Sequence, residues 1–171
     1  MIGDRRSSLI KVLSLLTTSN ATNTKKLLMA PKSGHYRISC NNRYIGRAIH
    51  EHNDLTPKPI LSSTDDEQFV WLLEKLFNGR YRVVTGLFPQ CPTGIDPNDA
   101  TGVVGFVAEI SQALEWELRP VHGSEDTYNI VAPNGAFWVV PRKESTQIQV
   151  LNVPEGSVFH FTSVPPPKRT W

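Results

Sequence analysis

Phe69-Val70-Trp71 is answered by Leu114-Glu115-Trp116 and then by Phe159-His160-Phe161, each copy 45 residues after the one before. A second anchor runs ahead of it. Gly34-His35-Tyr36-Arg37-Ile38 returns as Gly79-Arg80-Tyr81-Arg82-Val83, and more weakly as Asp126-Thr127-Tyr128-Asn129-Ile130. The tyrosines are 45 and then 47 residues apart. Threefold self-similarity at this period marks a fold built from repeated units, each burying its apolar face against the others.

Short apolar runs separated by turn residues make each unit strand-rich. Unit one offers Tyr36–Cys40, the turn Asn41-Asn42, Tyr44–Arg47, Ile60-Leu61 and Phe69–Leu73. Between its second and third strands, Ala48 to Pro59 is polar and ends in Thr56-Pro57-Lys58-Pro59, where two prolines should keep the chain out of a central ladder. Unit two starts at Tyr81–Val84 and carries an insertion from Phe88 to Asn98. Val103–Ile110 then reads as two strands or one bent strand, and Leu114–Leu118 closes the unit. Unit three reads Tyr128–Val131, the hairpin signal Asn134-Gly135, Phe137–Val140, Gln147–Val150 and Val158–Phe161.

Four strands in each of three units predict an all-β fold, a β-trefoil. This is a pseudo-threefold barrel of six strands capped by three hairpins, with its edges removed by closure. Residues two apart on a strand share a face, so Phe69 and Trp71, Leu114 and Trp116, and Phe159 and Phe161 should point into one core. Trp116 and its counterparts Trp71 and Phe161 are expected at equivalent buried positions.

The domain plan is a leader over 1–33, a trefoil over 34–164 and a proline-rich tail over 165–171. The leader carries six Lys or Arg and one Asp, while residues 34–171 carry 12 basic and 15 acidic residues. The body is therefore mildly acidic and gives no support to phosphate recognition, so no nucleic-acid partner is expected. Leu9, Val12, Leu13 and Leu16 share one face of a short predicted helix near Ser8 to Leu16. The leader's basic, Ser/Thr-rich composition faintly fits a secretory signal or a mitochondrial presequence, and Lys11 argues against the secretory reading. Localisation stays open between cytoplasmic and secreted, and Asn20-Ala21-Thr22 matters as a glycosylation sequon only if the chain is secreted. No run of 18 apolar residues predicts a membrane span.

Chemistry is sparse. His50 and His52 could share a strand face, but lack a third metal ligand and read as a solvated loop. Asp65-Asp66-Glu67 lacks the spacing and glycine of a calcium loop. Asp96, Asn98 and Asp99 read as turn formers. No nucleophile elbow or phosphate-binding loop is present, so neither enzyme activity nor a cofactor is expected. Cys40 and Cys91 are too few for a disulfide framework and read as two thiols; Cys91 has no basic neighbour in sequence that would activate it. Trp138 reads as packing beside its hairpin, with a sugar- or protein-contacting surface as the alternative.

Tyr44-Ile45-Gly46-Arg47, with Glu51, Leu55 and Pro57-Lys58-Pro59-Ile60, resembles the first unit of the mushroom β-trefoil serine-protease inhibitors, the cospin-like family. Gly34, Tyr36 and Ile38 fit its opening. Thr146-Gln147-Ile148-Gln149-Val150, with Phe159 and Phe161, is similar to the end of its third unit. The resemblance spans about Ser33 to Val164. It implies a monomeric inhibitor that lays a surface loop into the cleft of a serine protease.

The corresponding loop here is His50-Glu51-His52-Asn53-Asp54. Asn53 stands about where trypsin-directed members carry a basic residue. His52 replaces an acidic residue, and Asp54 stands where Ser is usual. An amide cannot make the ion pair a trypsin-like pocket rewards, so this loop is expected to inhibit trypsin weakly or not at all. Two other functions compete. A trefoil lectin would leave repeated polar residues, and only core anchors repeat. A trefoil inhibitor of cysteine proteases would use other loops.

Overall fold

A computed structural model describes residues 30–48, 54–64, 69–86, 89–143 and 145–168. The predicted leader helix and its sequon, and the acidic run at 65–67, lie outside these residues. The described chain is almost entirely strand and turn. In order, the strands are β1 (Gly34–Cys40), β2 (Arg43–Arg47), β3 (Lys58–Ser63), β4 (Trp71–Lys75), β5 (Tyr81–Thr85), β6 (Thr93–Ile95) and β7 (Val103–Gly105). A short 3-10 turn follows at Ile110–Gln112, and then β8 (Glu117–Pro120), β9 (Thr127–Val131), β10 (Phe137–Val139), β11 (Thr146–Gln147), β12 (Gln149–Leu151) and β13 (Phe159–Ser163).

Antiparallel pairing closes six of these strands into a ring. β1 pairs with β4, β4 with β5, β8 with β9, β9 with β13, and β13 with β1. The remaining seam, between β5 and β8, is closed by Tyr81 and Trp116, whose backbones exchange two hydrogen bonds of 2.8 Å. The pairs β2–β3, β6–β7 and β10–β12 stand outside the ring, and β3 and β11 pair across units. A closed ring leaves no barrel edge for another chain to extend.

The repeated aromatics fill its interior. Trp71, Trp116 and Phe161 are each at most 2% exposed. Tyr36 stands opposite Trp71, and Tyr81 opposite Trp116. The third unit differs: Phe161 stands opposite Asp126, and Tyr128 opposite Phe159. The 47-residue spacing of the last tyrosines is thus a slip of two along the strand. A slip of two preserves the side-chain face, so Tyr128 still meets the Phe161 ring edge-on at 5.2 Å.

Trp138 completes this cluster as a buried residue. Its ring packs edge-to-face against Trp116 at 5.2 Å, Phe159 at 6.0 Å and Trp71 at 6.5 Å. Such pairs add about 0.5–1.5 kcal/mol each beyond area burial. Two of the three indole N–H groups find partners: Trp71 donates to the Ile45 carbonyl at 2.7 Å and Trp116 to Thr93 Oγ1 at 2.9 Å. The Nε1 of Trp138 is buried without a partner.

The contacts of the barrel reach back before Gly34. The Tyr81 hydroxyl donates to the Pro31 carbonyl at 2.7 Å, Tyr36 donates to the Lys32 carbonyl at 3.0 Å, and Ser33 Oγ accepts from the Lys75 amide at 2.9 Å. The three repeat tyrosines gather at this end of the ring. Burial, then the neighbouring Tyr128 and Tyr36, push the Tyr81 hydroxyl up to about 12.

Four strand expectations need correction. The stretch from Phe88 to Asn98, expected as an insertion, contains β6, which pairs with β7. Gln147–Val150 is divided at Ile148, because that fully buried residue bonds to Ile60 and Val103 on two other strands rather than continuing one ladder. Of Val103–Ile110, only Val103–Gly105 is strand; Phe106 turns into the core with its amide on the Pro92 carbonyl. Pro59 does join a ladder, opposite Val104. It is tolerated because pairing with β2 stops at Ile60, so its missing N–H falls beyond that ladder.

Candidate functional site

The segment 48–57 joins β2 to β3, two strands already in register from Tyr44–Ser63 to Arg47–Ile60. His50, Glu51, His52 and Asn53 lie outside the described residues; Asp54 lies within them. The two strand ends that bracket the segment are anchored.

On the β2 side, Gly46 is needed for packing. A Cβ there would fall 2.1 Å from the Phe69 ring. The ring lies directly on this backbone, which gives the Ile-Gly-Arg motif a steric reason. Arg47 then reaches across to the second unit, where its Nη1 donates to the Pro89 carbonyl at 2.9 Å and contacts Cys91 Sγ at 3.2 Å. A basic group therefore does stand beside Cys91, brought there by tertiary packing from 44 residues away. The thiol is fully buried, and Cys40 and Cys91 form no disulfide.

On the β3 side, Asp54 makes an Asx turn. Its Oδ1 accepts from the Thr56 amide at 3.2 Å and the Thr56 hydroxyl at 2.5 Å, and pairs with Lys58 Nζ. Lys58 is a buried lysine on β3, whereas the Asp54 side chain is half exposed. The ammonium bond first, then the Thr56 hydroxyl, hold the Asp54 carboxyl down at about 2. The sequence places Asp54 in the loop but does not mark Lys58 as its partner. An Asp four residues before a Lys is too common to single out.

Leu55, which the resemblance supplies only as a motif residue, stands 71% exposed. With Thr56, Pro57, Phe106, Val107 and Glu109 it lines a concavity of about 330 Å³ between the first- and second-unit loops. Asp96 and Asp99 behave as turn formers, accepting from the Asn98 and Thr101 amides at 2.8 and 3.0 Å. Among the described residues, no group of three His, Cys, Asp or Glu could hold a metal ion, and no helix is long and apolar enough to cross a membrane.

The class of this closed all-β barrel comes from the comparisons. The family model described as peptidase inhibitor I66 matches residues 29–168. The chain belongs to this family, so it is a peptidase inhibitor and not an enzyme. Among solved structures, a proteinase inhibitor from Coprinopsis cinerea is similar at a TM-score of 0.63 and 21% identity, covering 79% of this chain and all of that one. A salivary protein from Culex quinquefasciatus is similar at 0.60 and 14% identity, covering 79% of this chain and 96% of that one. Cry35Ab1 follows at 0.59 and 13% identity, covering 83% of this chain and 39% of that one. At these identities the structural likeness speaks for the fold alone. A search of curated proteins returns no match.

Proposed function

We propose that this inhibitor acts on a serine protease, through the β2–β3 loop His50-Glu51-His52-Asn53-Asp54. Asn53 is the side chain offered to the specificity pocket. The observation that carries the reading is the Asp54–Thr56–Lys58 tie, which begins one residue after Asn53. A loop whose exit is already ordered loses less entropy on docking than a free one. Leu55 and the adjoining concavity supply apolar surface beside the same loop. The target is a serine protease with a pocket that accepts a neutral polar side chain. The scaffold is read as a pseudo-threefold β-trefoil over 34–164 with a leader over 1–33 and a tail over 165–171. The active form is read as a monomer.

Asn53→Arg is the direct test, because it changes one side chain on a fixed scaffold. The variant is expected to gain trypsin inhibition through this loop, measured as residual hydrolysis of a chromogenic substrate. A substituted chain no different from its parent, both in inhibition and in the number of trypsin molecules bound, would sink the assignment of this loop.

A further inference from the structure

We propose a second protease-docking loop, between β10 and β11, that presents Arg142 to the acidic pocket of a trypsin-like serine protease. This site does not depend on the β2–β3 loop.

Pro141-Arg142-Lys143 leaves β10 with both basic side chains exposed. Exposed Arg and Lys ordinarily serve as solvated charge and leave their backbone to water. Here a half-buried support lies under the backbone instead. The guanidinium of Arg43, 98 to 100 residues away, donates from Nη2 to the Pro141 carbonyl at 2.8 Å. Its Nη1 donates to the Lys143 carbonyl at 3.1 Å and more distantly to the Arg142 carbonyl at 3.4 Å. Nη1 also contacts Ser62 Oγ at 3.3 Å. The rigid planar fork of a guanidinium can hold several acceptors in one fixed geometry, which an ammonium cannot.

The support is itself placed by a tight turn. Asn41 and Asn42 take φ of 51° and 60°, which reverses β1 into β2 and sets Arg43 opposite Cys40. Both ends of the loop are tied as well. The Val140 amide donates to Ser157 Oγ at 2.9 Å, and the Ser145 amide donates to the Ser62 carbonyl at 2.7 Å. Ser145 holds φ at 53°, an uncommon value for a residue with a Cβ, and the ring of Pro141 fixes its own φ directly ahead of Arg142.

This pattern meets the chemical needs of a substrate-like inhibitor. A cation must enter the pocket, and Arg142 supplies it. The backbone on either side of the reactive bond must stay in place, so that any cleaved ends remain apposed and rejoin. The Pro141 carbonyl before it is held at 2.8 Å and the Lys143 carbonyl after it at 3.1 Å. The Arg142 carbonyl has the longest of the three contacts, and it is the one that must turn toward the protease's oxyanion donors. Preorganisation of this kind raises affinity by removing ordering cost.

The test measures trypsin inhibition by the full chain and by Arg142→Ala and Arg43→Met. The parent should inhibit. Arg142→Ala, a surface change, should weaken inhibition by about thirtyfold or more, the loss typical of a hot-spot anchor. Arg43→Met should turn the loop into a substrate: water adds across the Arg142–Lys143 peptide bond, leaving a carboxylate on Arg142 and an amine on Lys143, seen by mass. A parent that neither inhibits trypsin nor is engaged at Arg142 overturns the proposal. So does a parent rapidly hydrolysed there without inhibition, or an Arg142→Ala variant that inhibits as well as the parent. Reading Asn53→Arg in the Arg142→Ala background lets each loop fail separately.

Discussion

Trp71 and Trp116 stand 45 residues apart and do the same thing: both are buried, both meet Trp138, and both donate their indole N–H to a local oxygen. The loops that leave their units share nothing comparable. Segment 48–57 is secured at its exit by Asp54 and Lys58, the turn after β6 by Asp96 and Asp99, and the β10–β11 loop from beneath by Arg43. One interior seen from three sides demands the same shape from each unit. Loops face three different surroundings and are free to diverge. The buried aromatics and the ties that hold the loops therefore lie on different residues.

The sharpest way to break this comparison is Trp116→Ala. It empties a fully buried aromatic site and removes the donor to Thr93, and should cost about 3–5 kcal/mol in denaturant unfolding. A loss below about 1 kcal/mol would show that the repeated aromatics are not the core. Gly46→Ala tests the border between core and loop. Its new methyl meets the Phe69 ring and should cost about 1–3 kcal/mol as overpacking, with a lowered thermal midpoint as the readout. An unchanged midpoint would mean that Phe69 moves aside freely.

The smallest effect belongs to the loop alone. The Asp54 carboxyl is held down at about 2 by Lys58 and Thr56. Its tie is fully present above the ordinary carboxylate range near about pH 4 and is lost as pH falls through about 2. A carboxyl NMR titration should place its midpoint near about 2 while the core resonances stay folded. A midpoint near about 4 would remove the ordered exit from the proposed docking loop.

The all-β class and the buried positions of Trp71, Trp116 and Phe161 were legible because they rest on local rules. Alternation, Asn-Asn and Asn-Gly turns and equal aromatic spacing each carry their meaning within a few residues. Ile148 misled the reading because its alternation is genuine while its backbone bonds belong to Ile60 and Val103. Pro59 misled it because edge and centre change within one strand, where β2 ends. The resemblance puts Asp54 in the proposed loop, whereas its bond to a buried lysine has no signal in the sequence.

The sequence by itself determined that matching apolar anchors recur every 45 residues, and that the stretch around Tyr44–Arg47 resembles an inhibitor family. Hydrophobic periodicity and turn chemistry are short-range, so they survive in one dimension. Only the tertiary structure decided that Arg47 would meet Cys91 and that Arg43 would lie beneath Pro141, Arg142 and Lys143. A guanidinium reaches only a few ångströms, and which carbonyls fall within that reach depends on how distant strands close the barrel.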